Sequence, residues 1–376
     1  MKAPHICFVT TGDIVSIATA KRALGLANHL VDLGWRVSIL MEDADENHHR
    51  VEMECGPQVQ VCYFPWMSGR KEQRWKTQKI RELDPDVLYL CAFVGRNIVA
   101  SRHRSIKLVE HSELQSTFSN VSWKRRIYYY LTEYYSLRYA DGVVNASQYL
   151  QTFFRRRSKR MLRPRLPMLY LPYAYNKEVC RVDTGLARQR FEKSPHHRYF
   201  VFMGSLVEDY GAFTMLEAFE EIARQRTDLK LLLLGRGRDY YRVRDYIEQH
   251  QLQKVVRMMG YIAEEDIPVY FSLADAFLLP LNDTVKDKAR CPSKLYMYLP
   301  YKKPVVTCKV GEPYAVLGEK GTYFTPSDSH ALAQTILHMA EHEDWTLDID
   351  PEQHEWKARA QQLDEWVRPI LKNRQR

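Results

Sequence analysis

Short apolar runs alternate with longer amphipathic stretches along most of the chain. Residues 6–10 and 37–41 are apolar enough to form strands buried on both faces. Between them Ala20, Leu24, Ala27 and Val31 recur at steps of four, three and four, so they share one helical face. Lys21, Asn28 and Asp32 lie off that stripe, and Gly34 supplies the stop. The helix is predicted to begin near Ile17, after the loop Thr11-Gly12-Asp13. Strand, glycine loop, helix and strand make a βαβ unit whose loop opens the helix.

The alternation continues. Residues 87–93, 107–109 and 142–145 read as strands, 123–139 as a helix, and Ser147 as the N-cap of another. Residues 169–171 form a further apolar segment before Pro172. The second half restarts the pattern, with strands over 199–203, 229–234, 255–259, 276–279 and 305–308. Helices are predicted over 213–223, 240–250, 266–273 and 292–299, the last with Pro292 in its tolerant first turn. Such alternation predicts an α/β fold of two doubly wound parallel sheets. We expect a first Rossmann-like domain over 1–182 and a second over 183–350, with the boundary in the polar stretch 177–194. An amphipathic helix within 351–376 is expected to cross back to the first domain.

Composition narrows the class. A chain of 376 residues that is 45% hydrophobic builds real cores, which excludes a disordered protein. No apolar run approaches the roughly 18–20 residues of a membrane span. The chain runs from Met1 almost directly into a strand without a signal-peptide pattern, and its seven cysteines include no CxxC. A cytoplasmic location follows as an expectation. The histidine pairs His48-His49 and His196-His197 lie in polar sequence, and no metal site is expected there.

Charge adds a partner. The net charge of +9 concentrates in two places: Lys124, Arg125 and Arg126 beside Trp123, and the run containing Arg155, Arg156, Arg157, Lys159, Arg160, Arg163 and Arg165. A basic residue near an anionic membrane contributes about 1 kcal/mol, so two clusters hold a protein there reversibly. We expect these residues to form a membrane or acceptor surface. The run carries no nucleic-acid recognition motif, and no nucleic-acid partner is expected.

In doubly wound sheets ligands sit at the carboxyl ends of strands. That rule selects Gly12, Gly204-Ser205, Gly235-Arg236-Gly237 and the segment 282–294. In the last, Arg290, Ser293 and Lys294 place two cations and a hydroxyl around a helix start, as a diphosphate requires. The same segment also reads as an ordinary loop-to-helix transition.

The series Phe202-Met203-Gly204, Leu233-Leu234-Gly235-Arg236-Gly237, Met259-Gly260-Tyr261-Ile262, and 274–280 resembles the donor domain of retaining GT-B glycosyltransferases, family four. Pro292-Ser293-Lys294-Leu295-Tyr296 and Lys303-Pro304-Val305-Val306 extend the likeness. Gly321-Thr322-Tyr323-Phe324 with Asp328 completes it, and Gly12 and Glu110-His111-Ser112 carry it more loosely into the first half. The resemblance implies two domains facing across a cleft and transfer of a sugar from a nucleotide-diphosphate donor, UDP-sugar favoured. The acceptor would be a glycan or lipid-linked glycan in cell-surface polysaccharide biosynthesis.

It implies roles as well. His111 would hydrogen-bond the donor sugar, and Gly12 would admit donor or acceptor closely. Gly204 and Ser205 would line the donor site, while Gly260, Tyr261 and Ile262 would hold the base. Arg290, Ser293 and Lys294 would bind the diphosphate without a metal or other cofactor. Such an enzyme would work as a peripheral protein on the cytoplasmic face of an anionic membrane. Two departures stand out. The family's paired glutamates fall at Ala289 and Met297, and Ser205 and Tyr210 stand where a cationic pair is usual. A non-catalytic scaffold or partner subunit of a polysaccharide-assembly complex is the alternative these departures raise.

Overall fold

Every strand pairing among the described residues is parallel. The computed structural model describes residues 3–14, 19–98, 103–118, 121–177, 180, 194, 196–342 and 345–375. The expected helix start near Ile17 and the boundary drawn between 182 and 183 lie outside them. The chain divides into two units: Met1–Ala174 with Ala289–Cys291 and His354–Arg376, and Tyr175–Lys288 with Pro292–Gln353.

The first unit runs β1 (His5–Val9), α1 (Thr19–Asp32), β2 (Arg36–Glu42), α2 (Asp45–Glu54), β3 (Val59–Phe64), α3 (Gly69–Leu83) and β4 (Val87–Leu90). It continues with β5 (Ile106–His111), α4 (Trp123–Tyr139), β6 (Gly142–Asn145), α5 (Gln148–Arg160) and β7 (Met168–Tyr170). Its sheet order is β3-β2-β1-β4-β5-β6-β7. Cys7, Val9, Leu88, Leu90, Val109 and Val143 point to one face, where they meet Ile80 of α3, Leu137 of α4 and Leu150 and Phe154 of α5. The alternate residues Ile6, Phe8, Ile39 and Tyr89 are equally buried, so the strands read as unbroken apolar runs.

The second unit runs β8 (Arg198–Met203), α6 (Ala212–Ala223), β9 (Leu229–Leu234), α7 (Tyr240–Gln249), β10 (Val256–Gly260), α8 (Ile267–Leu273) and β11 (Ala276–Leu279). Then come α9 (Val285–Ala289), α10 (Ser293–Tyr298), β12 (Val305–Thr307), α11 (Gly311–Leu317), β13 (Thr322–Tyr323) and α12 (Ser329–Met339). Its order is β10-β9-β8-β11-β12-β13. Phe200, Leu231 and Leu278 pack with α6, α7 and α12. On the other face Phe277 stacks on Tyr298 of α10 at 4.1 Å and meets Phe271 of α8 at 5.2 Å.

The last helix, α13 (Trp356–Gln375), belongs to the first unit. It lies on α1 because Gly25 leaves room for the Trp356 ring: a Cβ there would fall 2.3 Å from it. Trp366 covers Gly142 in the same way, and Trp35 Nε1 donates to Asp364 at 2.6 Å. Helices α2 and α3 and strand β3 were not anticipated from the pattern. The inward residues of both helices include charged or polar groups, Asn47 and Arg50 in α2 and Glu72 and Lys76 beside Ile80 in α3, so apolar spacing conceals them.

Candidate functional site

In the second sheet β8 lies between β9 and β11, so the strand order reverses there. Ligands of doubly wound sheets bind beyond the carboxyl ends of strands at such a reversal. Gly204 follows β8 directly, and its missing side chain admits Lys294: a Cβ on Gly204 would lie 2.5 Å from Lys294 Nζ. The ammonium sits 4.1 Å from the centre of the Phe202 ring. The short α10 that carries it is fixed from behind. Tyr298 is fully buried and its hydroxyl accepts from Met203 N at 3.1 Å, while Tyr296 OH donates to buried Glu312 at 2.8 Å. Ser293 stands half-buried in the first turn of the same helix.

Two more strand ends converge here. Gly235 N donates to Gly260 O at 2.6 Å, and a Cβ on Gly235 would meet Gly204 O at 2.2 Å. Gly204, Gly235, Gly260 and Lys294 therefore form one edge. Ser205 and Tyr261 are exposed beside it, and Ile262 is half-buried. Arg236 lies between the two glycines of the strand end Gly235-Arg236-Gly237. Its exposed side chain brings Nε to 3.9 Å from where a Gly260 Cβ would stand, adding a second cation to the edge.

The carboxylates nearby are committed. Glu208 pairs with Arg242 at 3.3 Å, Asp209 with Lys286 at 3.0 Å and Asp283 with Lys288 at 2.5 Å. Asp287 is buried and accepts from Asn282 N. Met297 is half-buried, and Ala289 is fully buried with its carbonyl accepting from Ser147 Oγ at 2.7 Å. Arg290, next in the chain, falls with Ala289 and Cys291 in the first unit.

In the first unit β1 ends at Thr10-Thr11-Gly12, and Gly12 takes a left-handed φ of 73°. Its carbonyl accepts from Asn47 Nδ2 at 3.5 Å. Beside this loop Lys76, wholly buried, donates to Thr10 O (2.6 Å), Glu72 Oε1 (2.6 Å) and Asn97 Oδ1 (2.7 Å). Thr11 and Arg96 also reach Glu72. Burial brings the Lys76 ammonium down to about 8, opposed by Glu72. This network pins the β1 loop and had no apolar signal in the sequence.

His111 ends β5 and is buried, its ring stacked on Phe154 at 3.9 Å. Ser136 Oγ donates to Glu133 O at 2.7 Å, so its remaining capacity is to accept, and His111 Nε2 donates to it at 2.9 Å. That fixes the neutral tautomer and leaves Nδ1 as an acceptor. Burial, with a smaller contribution from Arg157, pulls the imidazole down to about 3. The unfolded chain takes up this proton near pH 6.5 and the folded chain only near 3. Stability is therefore fully present above 6.5 and is lost as pH falls below it. Between pH 6.5 and 5 the loss should be about 1.5 kcal/mol, and His111→Phe should remove it. Denaturant titrations of both proteins across that range would show it; parallel profiles would refute it.

Lys124, Arg125, Arg126, Arg155 and Arg156 are exposed, as a binding surface requires. Arg157 is not, and its assignment there is corrected. It is buried, pairs with Glu133 at 3.0 Å and lies over Tyr134, Phe153 and Tyr130 at 4.1, 4.4 and 4.9 Å.

Residues 183–363 match the family model described as Glycosyl transferases group 1. Over 139 residues the chain is 31% identical to the Escherichia coli (strain K12) protein named "Putative colanic acid biosynthesis glycosyltransferase WcaL". That match covers 36% of this chain and 34% of the relative, so the chain spans about a third of that relative's length. The sucrose-phosphate synthase of Thermosynechococcus elongatus superposes with a TM-score of 0.76 at 17% identity, over 98% of this chain and 100% of that one. Anabaena Alr3699/HepE in complex with UDP and glucose gives 0.71 at 16% identity, over 98% of each chain. The fold is GT-B, two Rossmann-like parallel-sheet domains, and residues 183–363 match the model of a glycosyltransferase domain.

Proposed function

Taking that domain as premise, we propose that this chain is a retaining glycosyltransferase that uses a nucleotide-diphosphate sugar, UDP-sugar by preference. Its acceptor would be a glycan or lipid-linked glycan in cell-surface polysaccharide biosynthesis, reached from the cytoplasmic face of an anionic membrane. The family match over 183–363 and the printed name of the Escherichia coli relative support the class. The UDP bound by a structural neighbour supports the nucleotide.

One observation carries the reading. Lys294 is held over Phe202 at the glycine-lined end of β8, where Gly204 and Gly235 leave the backbone open to close approach. As the bond from sugar to diphosphate breaks, negative charge gathers on the leaving oxygen, and a prepositioned ammonium stabilises it. Arg290 and Ser293 are assigned to the same diphosphate, and Gly260, Tyr261 and Ile262 to the base through backbone groups. His111 is assigned to the sugar. As an Nδ1 acceptor it would take a hydrogen bond from a sugar hydroxyl rather than donate one. The cations make a metal unnecessary in this scheme.

Lys294→Ala should weaken donor binding by about 1.5–3 kcal/mol, the scale of a charge-assisted hydrogen bond. Titration calorimetry with a UDP-sugar measures it, and unchanged affinity would remove Lys294 from the site. Met297, where a ribose-binding carboxylate is usual, favours a second reading as a non-catalytic partner subunit. Met297→Glu separates the two: a live site changes its affinity or donor choice, whereas a decayed one gains nothing.

A further inference from the structure

The buried residues of α4, Glu133, Ser136 and Leu137, define its inner side. At 100° per residue the opposite side carries Lys124, Ile127, Tyr128, Leu131, Tyr135 and Arg138. Unlike most helices of a folded domain, this one keeps two of its three aliphatic residues, Ile127 and Leu131, outside. Trp123 is 68% exposed, Leu131 59%, Ile127 50% and Tyr135 48%. The outer side holds no carboxylate: the one acidic residue of α4 is Glu133, turned inward against Arg157. On α5 Arg155, Arg156 and Lys159 line an open depression with Gln151 and Thr152.

We propose that α4 is an interfacial docking helix, lying in the surface of an anionic bilayer with Ile127, Leu131 and Tyr135 turned toward the acyl chains. The occupant follows from charge and composition. An apolar stripe flanked by cations, with no carboxylate on its own side of the helix and bordered by Trp123 and several tyrosines, matches a headgroup layer, where indole and phenol rings settle. Each basic residue at such a surface strengthens binding about fivefold. Apolar insertion adds affinity that salt does not screen. The depression on α5 fits lipid phosphates beside the inserted helix. The proposal deepens the membrane-proximal acceptor reading and rests on it for the partner, but not on donor binding.

The test uses the full chain without donor, floated with vesicles of phosphatidylcholine alone or mixed with phosphatidylglycerol. Wild type should bind the mixed vesicles and hardly bind the neutral ones. Ile127→Ser with Leu131→Ser should weaken binding by about tenfold or more, on the order of 1.4 kcal/mol, with its residual binding abolished by salt. Both side chains are outside the core, so the thermal midpoint should hold. A UDP-sugar shift measured without vesicles should be the same in both proteins, which keeps this test independent of the transferase reading. Equal vesicle binding by the double variant would overturn the insertion, as would failure of wild type to bind mixed vesicles. A concentration-dependent dimer that the double variant abolishes would overturn it in favour of a second copy of the chain.

Discussion

Glu110→Ala should destabilise the first unit by about 3–5 kcal/mol, a large share of the roughly 5–15 kcal/mol that holds a domain folded. Arg22 is completely buried and its Nε lies 3.0 Å from Glu110 Oε1, with both side chains out of water. The guanidinium also donates to Pro172 O at 3.2 Å and sits 4.8 Å over the Tyr173 ring. Ser112 Oγ donates to the same carboxylate oxygen at 2.5 Å. Removing the carboxylate leaves a cation in an apolar interior with one carbonyl and one ring for company. The cost comes from stranding that charge, not from the net value of the pair. The double replacement Arg22→Met with Glu110→Leu should therefore recover most of the loss. Denaturant unfolding of the three variants measures this, and a single-variant loss below about 1 kcal/mol would show that water reaches the pair.

Gly235→Ala is expected to cost about 3–5 kcal/mol as well, in the second unit. Gly235 has φ of 128°, a conformation that side chains resist, and its Cβ would lie 2.2 Å from one backbone oxygen and 3.0 Å from its carbon, both in Gly204. No rotamer relieves a clash with backbone. The strand ends must separate, moving Gly204 and breaking the 2.6 Å bond from Gly235 N to Gly260 O. Because Gly204 also makes room for Lys294, donor binding should fall with stability. A calorimetric scan with and without donor tests both losses. A variant that keeps its midpoint and its donor shift would mean that β8, β9 and β10 do not converge as described.

Legibility in the sequence followed the physical signal. The ends of β8, β9 and β10 were readable because close backbone approach demands glycine, and glycines at strand ends are visible. Helix α4 was read to its observed limits, Trp123 and Tyr139, with Ser122 capping its start by accepting from Arg125 N. Helix α3 was hidden because its inward side carries the Lys76–Glu72 pair, and charge at core positions defeats a search for apolar period. Arg157 was misplaced for the converse reason. A run of cations on a helix turns some residues inward, and nothing in the run says that Glu133 and three aromatic rings wait there. The tautomer of His111 depends on a serine 25 positions away in the chain, beyond any local motif.

The central claim is a donor site on the second unit, and thermal unfolding against a panel of UDP-, GDP-, ADP-, CMP- and dTDP-sugars tests it most directly. One class, UDP-sugars, should raise the midpoint at millimolar ligand, and Lys294→Ala should lose the shift, since binding to the folded state stabilises it by mass action. No shift with any nucleotide sugar would contradict the account and leave the chain as a GT-B partner subunit without a donor.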